Sequence, residues 1–350
     1  MNWKDVGDGV DLPDAGEAIT RRRALGAIGG LGGIGAAKAV DNVLLGYGIV
    51  EGTNLVDMDL APVVGERLRP RPTGTSVGEY DLRIESGVAH LTGDGVDERV
   101  VLPGTTRADA AAIDDRLGVD LFEPLVVDDE ALAPMVTANA ADVEGVRFEF
   151  STYEPFFERV RSGNARPSAV ARLRENHYDR IEPVTVQRFS TADPTDPEAV
   201  VDGLVGAFRD YSNYDIPRYA AGSVEDNVLL GSVDLRQYFE SPTSFEALEA
   251  GENSGLFCYE FVYRSIEALH AAPAFAQTTP VFAGYVHDRR HKHAYTAIGS
   301  VLREDGDLVV PMTFVDYTHS TLYDDLRLRG VMGRGLEAYN DRHYATDVYW

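Results

Sequence analysis

Two alternating runs, His293–Leu302 and Leu308–Thr318, flank Arg303-Glu304-Asp305-Gly306-Asp307. Period-two alternation suits a strand, and Asp-Gly between two such runs is a strong hairpin signal. This pair constrains the fold more than any other stretch, because a two-residue turn also sets the register. With Asp305 and Gly306 as turn residues, Glu304 pairs with Asp307, His293 faces Thr318, and Tyr295 faces Asp316. Asp316 is then a diagonal neighbour of His293 on one face, where Cβ atoms lie roughly 7–8 Å apart. A carboxylate there can hold the imidazole by its second nitrogen, the orienting role of a third triad member. Pro311 lies inside the second run and cannot donate to a ladder, which marks an edge or a bulge. A bulge would turn Asp316 to the other face.

Such a pair needs a nucleophile. Cys258 is the single cysteine of 350 residues. It follows the cap and turn residues Asn253-Ser254-Gly255 and shares a helical stripe with Val262, Ile266 and Leu269. Unpaired amides in the first turn of a helix favour a thiolate and can hold an oxyanion. The same placement also suits a plain core thiol, since free cysteine is among the most buried residue types. One cysteine excludes an internal disulfide framework and any multi-cysteine zinc or iron–sulfur site. His287, His291 and His293 read H-x-x-x-H-x-H and offer a rival zinc site. Arg289, Arg290 and Lys292 are interleaved with them and repel a cation.

Cys258 in S-G-L-F-C-Y-E-F, His293 in H-A-Y and Asp316 in V-D-Y-T follow one another in an order that resembles the transglutaminase-like superfamily. The likeness covers roughly residues 195–325 and includes the Tyr211-Ser212-Asn213-Tyr214 helix end and the SFEALEAG segment. Phe257, Tyr295 and Tyr317 depart from the family's usual Gly, Trp and Pro. The resemblance implies an α+β, papain-like core with the cysteine helix packed on an antiparallel sheet. It implies acyl transfer by a Cys258–His293–Asp316 triad without a cofactor, most simply as a peptidase or amidase acting on a protein or peptide. The alternative of a different class is a non-catalytic surface or binding protein on a degenerate version of that fold.

Other signals outline the domains. Asp196-Pro197-Glu198 reads as a helix start, followed by the stripe Val201, Leu204, Val205, Phe208 and Tyr211. The stretch STADPTDP, 190–197, reads as a linker. Upstream, VGEYDLRI, GVAHL and ERVVL read as strands, with Val146–Phe150 another. Helical patterns fall near Ala108–Leu117, Glu130–Met135, Glu154–Val160 and Pro167–Asn176. The expectation is a mixed α/β module over 41–189 and the catalytic domain over 190–350.

Residues 1–40 form a third segment. Thr20-Arg21-Arg22-Arg23-Ala24-Leu25, a glycine-rich apolar run and Ala37-Lys38-Ala39 resemble a twin-arginine export signal. That reading implies the twin-arginine machinery as a partner and an extracytoplasmic, secreted or cell-surface location. If the segment is retained, residues 24–40 are the anchor. The chain carries 57 acidic against 32 basic residues, a formal net charge of −25, and only Lys4, Lys38 and Lys292 as lysines. Such a surface repels nucleic acid. It resembles the surfaces of proteins from salt-loving archaea, and so reports habitat more than partner.

Overall fold

The computed structural model describes residues 55–350 except 175–177, 179, 216–217, 219–220, 222–224, 226–241, 252–254, 291–292 and 319–342. The expected export segment 1–40, Asn253-Ser254 and His291 lie outside the described residues. Two compact units divide the chain. One, Met1–Asp41 with Ile216–Glu240, has only Arg218, Ala221 and Glu225 among the described residues. The other, Asn42–Asp215 with Ser241–Trp350, contains every element below and is an α+β structure.

It begins with a short helix, α1 (Ala61–Gly65), and an antiparallel meander of β1 (Thr73–Val77), β2 (Tyr80–Glu85), β3 (Val88–Gly93) and β4 (Val96–Val101). Helices α2 (Arg107–Leu117) and α3 (Phe122–Leu132) follow. Leu82, Ile84, Leu91 and Val100 of the meander form one core with Leu121, Phe122 and Leu125. The Asp114 carboxylate of α2 accepts the N–H groups of Phe122 and Glu123, both at 2.8 Å, and so caps α3. Helix α3 starts eight residues earlier than its expected pattern at Glu130. Asp128 hides the period: it is buried because Arg166 and Ser168 bind its carboxylate.

Next come β5 (Val146–Phe150), α4 (Tyr153–Ser162), α5 (Pro167–Leu173), α6 (Pro183–Ser190), α7 (Pro197–Tyr211) and β6 (Asn213–Tyr214). Asp196 caps α7 by accepting from Ala199 N–H at 3.2 Å, as its sequence suggests. The stripe Val201, Leu204, Val205 and Phe208 is buried, whereas Tyr211 is 38% exposed. The stretch expected as a linker is the short connection between α6 and α7, and those two helices pack on each other.

The remaining elements build the site: α8 (Phe245–Glu249), β7 (Gly255–Leu256), α9 (Cys258–Ala271), β8 (Phe282–Asp288), β9 (His293–Gly299), β10 (Leu302–Glu304), β11 (Asp307–Val315) and β12 (Asp347–Tyr349). The main sheet runs β12-β8-β9-β11 with antiparallel neighbours, β10 continuing the line of β9 alongside β11. Strand β5 adds to the far side of β11 in parallel. The register is the one counted from the turn: Glu304 pairs with Asp307, and Val315 with Thr296. Asp305 and Gly306 both have positive φ, 52° and 99°, the geometry a tight hairpin requires. Pro311 makes no bulge. Its carbonyl accepts Ser300 N–H at 3.1 Å, and its missing N–H coincides with the break between β9 and β10.

A division at residues 189–190 does not separate two cores. Strand β5, from the expected first module, belongs to the main sheet. A single core joins Leu60, Val64 and Val170 to Tyr295, Val310, Phe314 and Trp350. The local sequence does not reveal this sharing. A parallel edge strand is recognised only by a partner far along the chain, so its local sequence gives no sign of which sheet it joins.

Candidate active site

Cys258 is the first residue of α9, and three contacts fix the turn that presents it. β7 pairs in parallel with β6, Asn213 opposite Gly255 and Tyr214 opposite Leu256. Asp215 N–H then donates to Leu256 carbonyl at 3.0 Å. Phe257 N–H donates to the Glu260 carboxylate at 2.7 Å, closing the first turn of the helix. Helix α9 lies across β8 and β9, and Val262, Ile266 and Leu269 are fully buried on its stripe. Burying each such side chain stabilises by roughly 1.5–3 kcal/mol, which anchors the helix and the thiol at its end. Cys258 itself is half-buried, not sealed in the core. The first amides of a helix have no intrahelical acceptor, so positive partial charge collects where the sulfur sits.

His293 opens β9 opposite Asp288, and Asp316 follows the last residue of β11. The His293 Nε2–Asp316 Oδ2 distance is 2.9 Å. The Cys258 thiol shares a cleft with the same imidazole and acts on its charge. With Nε2 on the carboxylate, the second ring nitrogen serves the sulfur. Burial disfavours the charged ring, but the charge and hydrogen bond of Asp316 and the effect of Cys258 outweigh it and raise the His293 pKa to about 10. The three residues singled out by sequence are therefore brought together. Cys258, Tyr285, His287, Arg289 and His293 line one open cleft of about 350 Å³.

A fourth residue escaped the sequence reading. His343 is fully buried, and its Nε2 lies 2.8 Å from the same Asp316 Oδ2. Burial holds His343 below the usual histidine range, and the neighbouring His293 charge adds to that, against the pull of Asp316. A neutral ring at that distance must donate its Nε2–H. Thr318 N–H donates to the other oxygen, Oδ1, at 3.0 Å. Three donors thus converge on the carboxylate. Tyr295 packs against both rings, with centroids 6.1 Å from His293 and 5.1 Å from His343. Its hydroxyl donates to the Tyr344 carbonyl at 2.8 Å. β12, paired with β8, brings this segment back to the site.

Two of the three residues of the expected alternative ligand set, His287 and His293, are among the described residues. His287 and His293 sit on paired strands but opposite different partners, Ala294 and Asp288, and His291 lies outside the described residues. Among the described residues, the group with donor atoms close enough to share an ion is His293, Asp316 and His343. Its nitrogen–oxygen contacts of 2.8 and 2.9 Å are hydrogen-bond lengths. Tyr211, at the end of α7, packs tilted against Phe189 with centroids 5.3 Å apart, and the Tyr214 side chain lies outside what is described.

Fold and site together define an α+β protein with a half-buried thiol beside an imidazole that is itself hydrogen-bonded to a carboxylate. No family model matches the chain, and no curated protein or solved structure matches it.

Proposed function

We propose that this protein is a cysteine-dependent acyl-transfer enzyme that hydrolyses an amide bond in a protein or peptide. The observation that carries the reading is the series Cys258–His293–Asp316 opening on a cleft. The likeness of these residues to the transglutaminase-like pattern supports the same chemistry. The Cys258 thiolate attacks the carbonyl carbon, forming a C–S bond. The oxyanion is held by the first amides of α9, Cys258 N–H among them. His293, charged at rest, gives its proton to the departing amine as the C–N bond breaks. The neutral ring then takes a proton from water, which attacks the thioester and restores the thiolate. Asp316 fixes the ring's tautomer, and His343 with Thr318 N–H fixes Asp316. His343 is a positioning residue.

Thiol-directed acyl probes should label Cys258 covalently. Cys258→Ser should keep the circular dichroism spectrum and lose about 10³-fold or more in turnover of an amide substrate. Undiminished turnover would end the proposal, and absence of labelling would favour a non-catalytic binding role. Inactivation by chelator with resistance to iodoacetamide would move the chemistry to a metal held by His293, Asp316 and His343.

A further inference from the structure

The thiol's cleft continues into a larger one of about 540 Å³, lined by Arg67, Arg71, Tyr263, Tyr285, His287 and Tyr349. Tyr285 and His287 line both spaces. They are alternate residues of β8 and so share a face, which makes the two spaces one trough. Each part falls in the roughly 300–1,000 Å³ range of ligand sites, so together they suit an extended ligand. Tyrosine rings pave it in sequence: Tyr259 to Tyr263 at 6.0 Å, Tyr263 to Tyr285 at 5.8 Å, Tyr285 to Tyr349 at 6.2 Å.

The charge of the trough is opposite to that of the protein. Arg67 lies 4.0 Å over the Tyr349 ring and keeps 38% of its side chain exposed. Arg289 marks the end near the thiol. Arg67 and Arg289 share one carboxylate, Asp347, at 3.5 and 2.8 Å. Arg71 donates to the carbonyls of Leu173 and Trp350. Two guanidiniums, Arg67 and Arg289, thus meet one carboxylate, and no acidic residue is among those described as lining the larger space. In a chain of formal net charge −25, a cationic, aromatic trough running from the nucleophile is a recognition surface for an anion.

We propose that the trough takes an extended peptide carrying a glutamate or aspartate side chain near the acyl group that Cys258 attacks. The rings hold the apolar part of the chain, and Arg67 with Arg289 takes the carboxylate. This assignment rests on the reading of Cys258 as the nucleophile.

Protection of Cys258 from iodoacetamide tests it on the full chain, with the probes N-acetyl-Tyr-Glu-Ala-Gly amide and its Tyr-Gln-Ala-Gly counterpart. The glutamate peptide should protect at about tenfold lower concentration, about 1.4 kcal/mol. Arg67→Gln and Arg289→Gln should each shrink that ratio toward one. Equal protection by the two peptides, protection by neither, or a ratio unchanged in both variants would overturn the proposal. Alkylation of the unsubstituted protein without peptide reports the thiol alone. A rate at pH 6 no faster than that of a free thiol defeats the nucleophile reading itself. Fast alkylation with equal protection defeats only the acidic subsite.

Discussion

The charge on His293 decides the behaviour of the site with pH. Its pKa is raised to about 10, so the stability from its charged form is complete below the unfolded value of about 6.5. That stability is lost as pH climbs through about 10. Turnover should fall on the same alkaline limb, because the leaving amine then finds no proton. Asp316→Asn should move the limb to lower pH and cost about 10⁴-fold in kcat, read from a pH–rate profile. His343 works in the opposite direction. Its pKa is lowered by burial, so folding favours its neutral form, and stability falls as pH drops below about 6.5. His343→Phe should lower kcat and shift the alkaline limb downward, while His343→Gln, which keeps an N–H donor, should restore part of both. A purely structural histidine would leave the limb in place. His293 and Asp316 are legible as a pair because register can be counted outward from Asp305-Gly306, and Cys258 because it is the single cysteine, at a helix start. His343 is not. It returns 27 residues after Asp316, and no local spacing ties it to the carboxylate.

Among the elements, the strand-to-helix turn before Cys258 has the least tolerance. A Cβ on Gly255 would lie 2.7 Å from the Asp215 carboxylate, so β6 and β7 approach as closely as they do only without a side chain there. Gly255→Ala should destabilise by about 1–3 kcal/mol in denaturant melts and slow alkylation of Cys258, because the turn must move. Elements with strong local signals stand where the sequence puts them. β5 is Val146–Phe150, α7 starts at Pro197, and the β10–β11 hairpin keeps its counted register. The elements that go unread are those whose partners are remote or whose period is short. β1 is polar along much of its length, α6 covers barely two turns, and β12 has three residues. The apolar pattern of so short a piece is indistinguishable from that of a loop.

At the scale of the whole unit, the two ends of the described chain hold each other. Trp350 donates its indole N–H to the Val64 carbonyl at 2.9 Å and packs edge-on against Phe282 at 5.2 Å. Gly284 leaves the room this needs, since a Cβ there would meet both the Trp350 ring and the Tyr349 carbonyl. Trp350→Ala should cost about 3–5 kcal/mol in thermal or denaturant unfolding. It should also lower kcat more than it raises KM, because β12 positions His343. None of this long-range closure is visible in composition. Apolar residues from both sides of the expected boundary at 189–190 supply one core.

β12 and His343 follow every other element described in the chain. A growing polypeptide halted before residue 343 would already carry Cys258 and His293, but its Asp316 would lack one of its three donors. Synthesis therefore delivers the sulfur long before it delivers the brace behind it.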